Sequence, residues 1–247
     1  MHRLALVLAV LVAGCATTEP EPAPEPTAEP RVLVFTKTAG YRHASIPDGV
    51  AALRALGGAR GFEVDATEDS LAFAPERLAP YAAVVFLNTT GDVLGPDGEA
   101  ALRAYVEGGG GWVGVHAASD TEYAWPWYGR LVGAYFESHP PVQEAALAVA
   151  DADHPATRGL PARWMRTDEW YTFHAPPENV RVLLRLDGAS YEGGAAGTPP
   201  AAWAHEVGRG RSAYTALGHT AESYAEPLFL AHLGGAVCWA ARLDCAR

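Results

Sequence analysis

Apolar residues fall in short continuous runs along the first half of the chain and alternate with polar residues along much of the second. RVLVFT (31–36), AAVVFLN (82–88) and GWVGVHAA (111–118) are short, uniformly apolar stretches. Such runs predict strands buried on both faces. FEVDAT (62–67) alternates and predicts a further strand. Between them, residues 47–60 place Val50, Leu53 and Leu56 on one helical face behind Pro47, and PDGEAALRAYVEGG (96–109) opens on Pro and closes on Gly. Both segments carry the spacing and end signals of helices. Strand and helix in alternation predict a parallel sheet covered on both sides. Beyond about residue 140 the rhythm changes. VQEAALAVA (142–150), VRVLLRLDG (180–188), PAAWAHEVG (200–208) and RSAYTALGH (211–219) read as strands with few helices between. The Gly208-Arg209-Gly210 turn joins the last two as a hairpin. An apolar helix over 226–241 closes the chain, and no internal repeat is visible.

The first thirty residues follow other rules. Met1-His2-Arg3, the apolar run Leu4 to Val12 and the small residues Ala13-Gly14 before Cys15 form a secretion signal. The apolar run is shorter than the ~20 residues needed to span a bilayer. Val12-Ala13-Gly14-Cys15 resembles the lipobox of bacterial lipoproteins. That resemblance implies a lipid thioether on Cys15 with cleavage before it; an ordinary signal peptide with an incidental Cys is the alternative. Ala16 in place of Asp implies sorting to the outer membrane. Residues 16–30 (ATTEPEPAPEPTAEP) alternate Pro and Glu, so they cannot bury apolar surface and favour extended geometry. The expected organisation is therefore a signal peptide (1–14), lipidated Cys15 with its linker (15–30), and one domain (31–247).

Composition narrows the partners. The chain is 49% apolar, enough for a large core, and carries a net charge of −11 with few Lys. This argues against nucleic acid and against electrostatic adhesion to anionic lipid, leaving the anchor at Cys15 as the membrane contact. Gly108 to Gly111 precede a strand instead of opening a helix, so no nucleotide cofactor is expected. Cys238 and Cys245 are the only cysteines besides Cys15. Seven residues apart on one helix they would stand ~10 Å apart, too far for a disulfide. A bridge requires the helix to end near Arg242; the alternative is two unpaired thiols.

In open parallel sheets ligands bind beyond the carboxyl ends of the strands. Three polar segments follow such ends: Lys37, Tyr41, Arg42 and His43 after the first strand, Asn88 to Asp92 after the third, and His116 to Glu122 after the fourth. His116 with Asp120 and Glu122 forms an acid–base constellation, because a carboxylate can move an imidazole across physiological pH. Asp120 could instead cap a helix, and His116 could be a satisfied buried histidine. Asp168 and Glu169, beside Trp170 and Tyr171, suit sugar handling, where carboxylates meet hydroxyls and rings meet C–H faces; a solvated acidic turn is the alternative. The catalytic candidates are thus His116, Asp120, Glu122, Asp168 and Glu169. His43, Asn88, Trp127, Trp170, Tyr171 and His219 are the substrate-binding candidates. If His43, His116, His139 and His219 converge with a carboxylate, a divalent metal such as Zn²⁺ becomes possible, although no tight metal motif is present. His205, His232 and His154 read as structural.

Several segments carry a family resemblance: TKTAGYRHASI, GWVGVHAASDTEYAWPWYGRLVGAYFESHPPVQ, DHPATRGLP, DEWYTF, VRVLLRLD and YTALGHTAESYAEPLFLAHLGGAVCWAA. Together they resemble the ThuA-like (trehalose utilisation) family across nearly all of residues 31–241. The resemblance implies an α/β, flavodoxin-like or class I glutamine amidotransferase-like three-layer sandwich, mainly parallel, with extra β-strands in the C-terminal half. It also implies a role in carbohydrate metabolism of the trehalose or keto-sugar kind. Two departures matter. Amidotransferases carry a Cys nucleophile in Gly-x-Cys-x-Gly, whereas this chain has His116 there, in Gly114-Val115-His116-Ala117-Ala118, which excludes glutamine hydrolysis through a thiolate. Many ThuA-like proteins have Asp-His-Pro before the Ala-Trp-x-His strand, and this chain has Gly197-Thr198-Pro199-Pro200. Three readings stay open: an enzyme of the hydrolase or lyase kind acting on a sugar derivative; a non-catalytic sugar-binding lipoprotein; and a structural envelope lipoprotein.

Overall fold

Strand polarity decides where the polar segments gather. The computed structural model describes residues 29–194 and 196–244, so the signal segment and most of the linker, with Cys15, lie outside the described residues. The chain runs β1 (Arg31–Phe35), α1 (Ile46–Arg60), β2 (Glu63–Thr67), a short α2 (Pro75–Leu78), β3 (Tyr81–Leu87), α3 (Pro96–Glu107) and β4 (Gly111–Val115). After a 3₁₀ turn come α4 (Pro126–Val132), β5 (Phe136–Ser138), β6 (Gln143–Val149), β7 (Arg163–Asp168), β8 (Thr172–Phe173) and β9 (Arg181–Leu186). β10 (Pro200–Val207), β11 (Gly210–Thr215) and α5 (Pro227–Ala240) complete it.

A nine-stranded sheet has the order β2-β1-β3-β4-β11-β10-β9-β6-β7. β2, β1, β3, β4 and β11 are mutually parallel, while β10, β9, β6 and β7 continue the sheet in antiparallel pairs. β5 and β8 pair as a separate small ribbon. Alternation along the parallel strands sorts the core into two layers. Val32, Val34, Val85, Leu87, Val113 and Val115 pack with Leu53 of α1 and Phe229, Leu233 and Val237 of α5. Leu33, Phe35, Val84, Phe86 and Trp112 face the other way, onto Leu102 and Val106 of α3 and Tyr128 and Leu131 of α4. Helices on both faces of a mainly parallel sheet make the expected three-layer sandwich, and the added antiparallel strands occupy the C-terminal half.

Some boundaries differ from the sequence expectation. The fourth strand ends at Val115, and the 3₁₀ turn of 116–120 begins at His116, which adopts φ 51°. Asp120 caps no helix, since α4 starts at Pro126 with Trp125 as its cap. β7 gives no strand signal in the sequence because two of its three inward positions, Arg166 and Asp168, are themselves charged. α5 ends at Ala240, and Arg242 turns the chain at φ 58°. Cys238 is disulfide-bonded, and Cys245 lies outside the described residues. No helix among the described residues is long and apolar enough to cross a membrane.

Candidate active site

β1 and β3 are neighbours in the sheet, but β2 lies between them in the chain, so strand order reverses at their junction. Loops from the carboxyl ends of β1, β4 and β11 carry His43, His116 and His219. The turn after β7 brings Glu169. These four offer ligand-type atoms that all lie within 4.8 Å of one another.

The contacts fix much of the proton inventory. His116 is fully buried, and its Nδ1 lies 2.8 Å from the carbonyl oxygen of Ala216. A carbonyl only accepts, so Nδ1 carries the proton and donates. His116 Nε2 then faces His219 Nδ1 at 3.1 Å and Glu169 Oε2 at 3.3 Å, while His219 Nδ1 stands 3.1 Å from the same oxygen. His139 Nδ1 reaches the other carboxylate oxygen, Oε1, at 3.0 Å. Burial alone would raise the Glu169 carboxyl. The imidazoles of His116 and His219 beside it outweigh burial and hold it well below the usual carboxylate range. The hydrogen bond to Glu169 likewise raises His219 against its own burial. His43 is pushed down to about 3, first by burial and then by the neighbouring His116 and His219, so it stays neutral. Its Nδ1 is buried without a hydrogen-bond partner.

Above this cluster opens a cleft of about 340 Å³, within the range of small-molecule sites. Tyr41, Phe136, His139 and Tyr171 supply rings around it, and Asp120 forms part of its wall. Tyr171 lies on His116 with ring centroids 4.2 Å apart. Tyr41 stands 67% exposed at the mouth, edge-on to His43. Burial raises the Asp120 carboxyl, although Tyr123 donates a 2.8 Å hydrogen bond to it. None of the residues lining the cleft is Lys or Arg.

Of the sequence candidates, His43, Asp120, His139, Glu169, Tyr171 and His219 line this cleft, and His116 lies fully buried behind Glu169 and His219. The others lie elsewhere. Asp168 is fully buried beneath it, accepting from the backbone N–H of Gly218 at 2.9 Å and His219 at 3.1 Å and pairing with Arg166 at 3.1 Å. Glu122 is buried, with Oε1 accepting from Val93 N and Leu94 N at 2.9 and 2.7 Å, so it organises a loop. Asn88 is also fully buried, and its side chain ties Ser45 Oγ to the Gly218 carbonyl. Trp170 donates to the Gln143 carbonyl from the core. Trp127 donates to Glu107 and lines a separate cleft with Arg130 and His205. Sequence reasoning missed Phe136 and Arg166. Arg166 occupies an inward position of β7 between Trp164 and Asp168, which no local sequence signal marks.

The comparisons with known proteins agree with this fold. A family model described as ThuA, trehalose utilisation, matches residues 31–240. A crystallised ThuA-like protein from Bacteroides uniformis is 26% identical, with a TM-score of 0.73 over 90% of this chain and 95% of that one. A ThuA-like protein from Parabacteroides merdae is 23% identical, with a TM-score of 0.75 over 89% of this chain and 92% of that one. At the level of fold alone, a β-galactosidase from Bacillus circulans is 16% identical with a TM-score of 0.59, covering 87% of this chain and 32% of that one. No curated protein matches the sequence.

Proposed function

Because the chain belongs to the ThuA, or trehalose utilisation, family, we propose that it is an envelope lipoprotein whose ThuA-like domain carries out acid–base or metal-assisted chemistry on a neutral sugar, such as a disaccharide or its keto derivative. One observation carries the reading. A carboxylate, Glu169, is gripped by His116 and His219 at the floor of an aromatic-rimmed cleft on the carboxyl edge of the sheet. Rings stack on the C–H faces of sugars, and carboxylates accept from their hydroxyls. A lining without Lys or Arg gives no partner to a phosphate, so an uncharged sugar suits it better than a phosphorylated one. In the metal-free form of this reading His116 and His219 are the proton carriers, and Asp120 on the wall is the second acid–base group. His116 at the place of the amidotransferase nucleophile removes thiolate chemistry from the options.

Calorimetry of the full chain with neutral disaccharides and their keto derivatives, followed by product analysis, tests this. Binding and turnover are expected for at least one such sugar. His116→Ala should keep binding within about threefold and lower turnover by at least about 10². Binding with no turnover in either protein would replace the enzyme by a sugar-binding lipoprotein, and no binding at all would remove the sugar reading.

A further inference from the structure

We propose that His116, His219 and Glu169 form the ligand face for a single divalent transition-metal ion of the zinc class, with His43 beside the ion's remaining positions and His139 orienting the carboxylate.

The argument starts from protons. His116 has its Nδ1–H committed to the Ala216 carbonyl at 2.8 Å. In its neutral form it therefore presents a lone pair at Nε2. That lone pair points into a triangle with His219 Nδ1 and Glu169 Oε2, whose edges are 3.1, 3.3 and 3.1 Å. Three electron-rich atoms at such separations require positive charge between them. One proton bridges two of them and leaves the third facing a lone pair. A metal ion at the centre satisfies all three together.

The distances fit. Metal–ligand bonds of about 2.0–2.2 Å separate neighbouring ligand atoms by about 3.0 Å on an octahedral face and about 3.4 Å in a tetrahedron. The observed edges fall between these values. Two imidazoles and a carboxylate are a donor set that suits zinc in open sites and ferrous iron in facial triads.

The surroundings fit as well. Histidines that ligate metals usually donate their second N–H to a carbonyl or carboxylate, which fixes the tautomer and the ring. The Ala216 carbonyl does this for His116. Glu169 offers Oε2 to the triangle and holds His139 through Oε1 at 3.0 Å, so the coordinating oxygen is aimed. His43 has a buried Nδ1 with no partner and belongs to the four-residue group whose ligand atoms lie within 4.8 Å. At that looser spacing it stands at the edge of the coordination sphere, where it can complete the site or face a ligand held there. Among the described residues, Asp92, Glu99 and Glu122 make a second close group, but Glu122 already has Oε1 engaged by two backbone N–H groups, and nothing there points to an ion.

This inference does not depend on the sugar reading. The full-length protein, purified without chelator, is examined by elemental analysis, then stripped and titrated calorimetrically with Zn²⁺ and, separately, with Co²⁺ as a spectroscopic probe. Stoichiometric uptake at one site is expected, with visible Co²⁺ absorption characteristic of mixed nitrogen and oxygen ligands. Glu169→Gln and His219→Asn should each weaken Zn²⁺ binding by at least about 100-fold. His205→Ala, a histidine in the separate cleft, should bind as the parent does. Melting of the stripped proteins checks folding, and Zn²⁺ should raise the melting temperature of the parent but not of Glu169→Gln. A parent protein that takes up neither ion, or a Glu169→Gln variant that binds like the parent, overturns the site. Sugar calorimetry on stripped and loaded protein keeps the two readings apart, because either binding can survive without the other.

Discussion

Both oxygens of Asp168 are engaged below the cleft. They accept from the backbone of Gly218, His219 and Glu169 and face Arg166, itself almost wholly buried. Asp168 is therefore a positioning residue for two members of the cluster. Asp168→Ala leaves Arg166 partly unpaired and strands those N–H groups, so a loss of about 3–5 kcal/mol is expected, read by urea unfolding. A variant within about 1 kcal/mol of the parent would contradict this placement. Gly218 adds a second constraint: its φ is +107°, and a Cβ at this position would stand only 2.9 Å from the Tyr224 hydroxyl. At this scale the sequence revealed residue types better than residue roles. His43, His116 and His219 were legible because each follows a strand end. The pair Asp168–Glu169 looked uniform, since nothing local distinguishes a carboxylate that meets backbone N–H groups from its neighbour that meets imidazoles. Trp127, Trp170, Glu122 and Asn88 carry the right chemistry, but long-range packing directs them elsewhere.

At the scale of elements, α5 shows how a buried helix sets a pH limit. His232 lies fully within the core, with Nδ1 donating to the Ala156 carbonyl at 2.8 Å, and burial pushes its pKa down to about 4. His154 is lowered likewise to about 4, chiefly by burial. A histidine depressed in the folded state is neutral in both states above pH ~6.5, so its contribution is intact there. As pH falls from ~6.5 towards 4 the unfolded chain takes up the proton first, and each such group costs about 1.4 kcal/mol per pH unit. Stability should therefore decline with acidity across this window. His232→Asn, which preserves a donor near Nδ1, should flatten the slope by about one group's share. Chemical denaturation at several pH values checks it, and an unchanged slope would remove His232 as a cause. The elements themselves were largely legible. Runs such as 82–88 and helices such as 96–109 carry strong local patterns, and the structure gives them as β3 and α3. β7 escaped because RWMRTD reads as charged, and its pattern becomes visible only when Trp164, Arg166 and Asp168 are known to share one face. The β5–β8 ribbon is too short for any periodic signal.

At the scale of the molecule, the parallel half of the sheet supplies the cleft floor and the antiparallel half delivers Glu169 from β7, the far edge strand. Neither half makes the cluster alone. The proposed anchor adds one more test. Cys15→Ser should move the chain from the membrane fraction to the soluble envelope fraction while leaving its melting temperature within about 2 °C; retention in the membrane would end the lipoprotein reading. Fold class was readable at this scale from the change of rhythm near residue 140. Sheet order was not, because the pairing of β4 with β11 joins segments about a hundred residues apart.

The polarity of β1 has a directional consequence. Its first residue, Arg31, lies at the amino edge of the sheet, and His43 follows its carboxyl end. A strand of this length spans ~17 Å. A tether joined at Arg31 therefore pulls on the pole opposite the cleft. If Cys15 anchors the chain as proposed, that pole is the one nearer the bilayer, and the mouth faces away from it, toward solutes diffusing through the envelope.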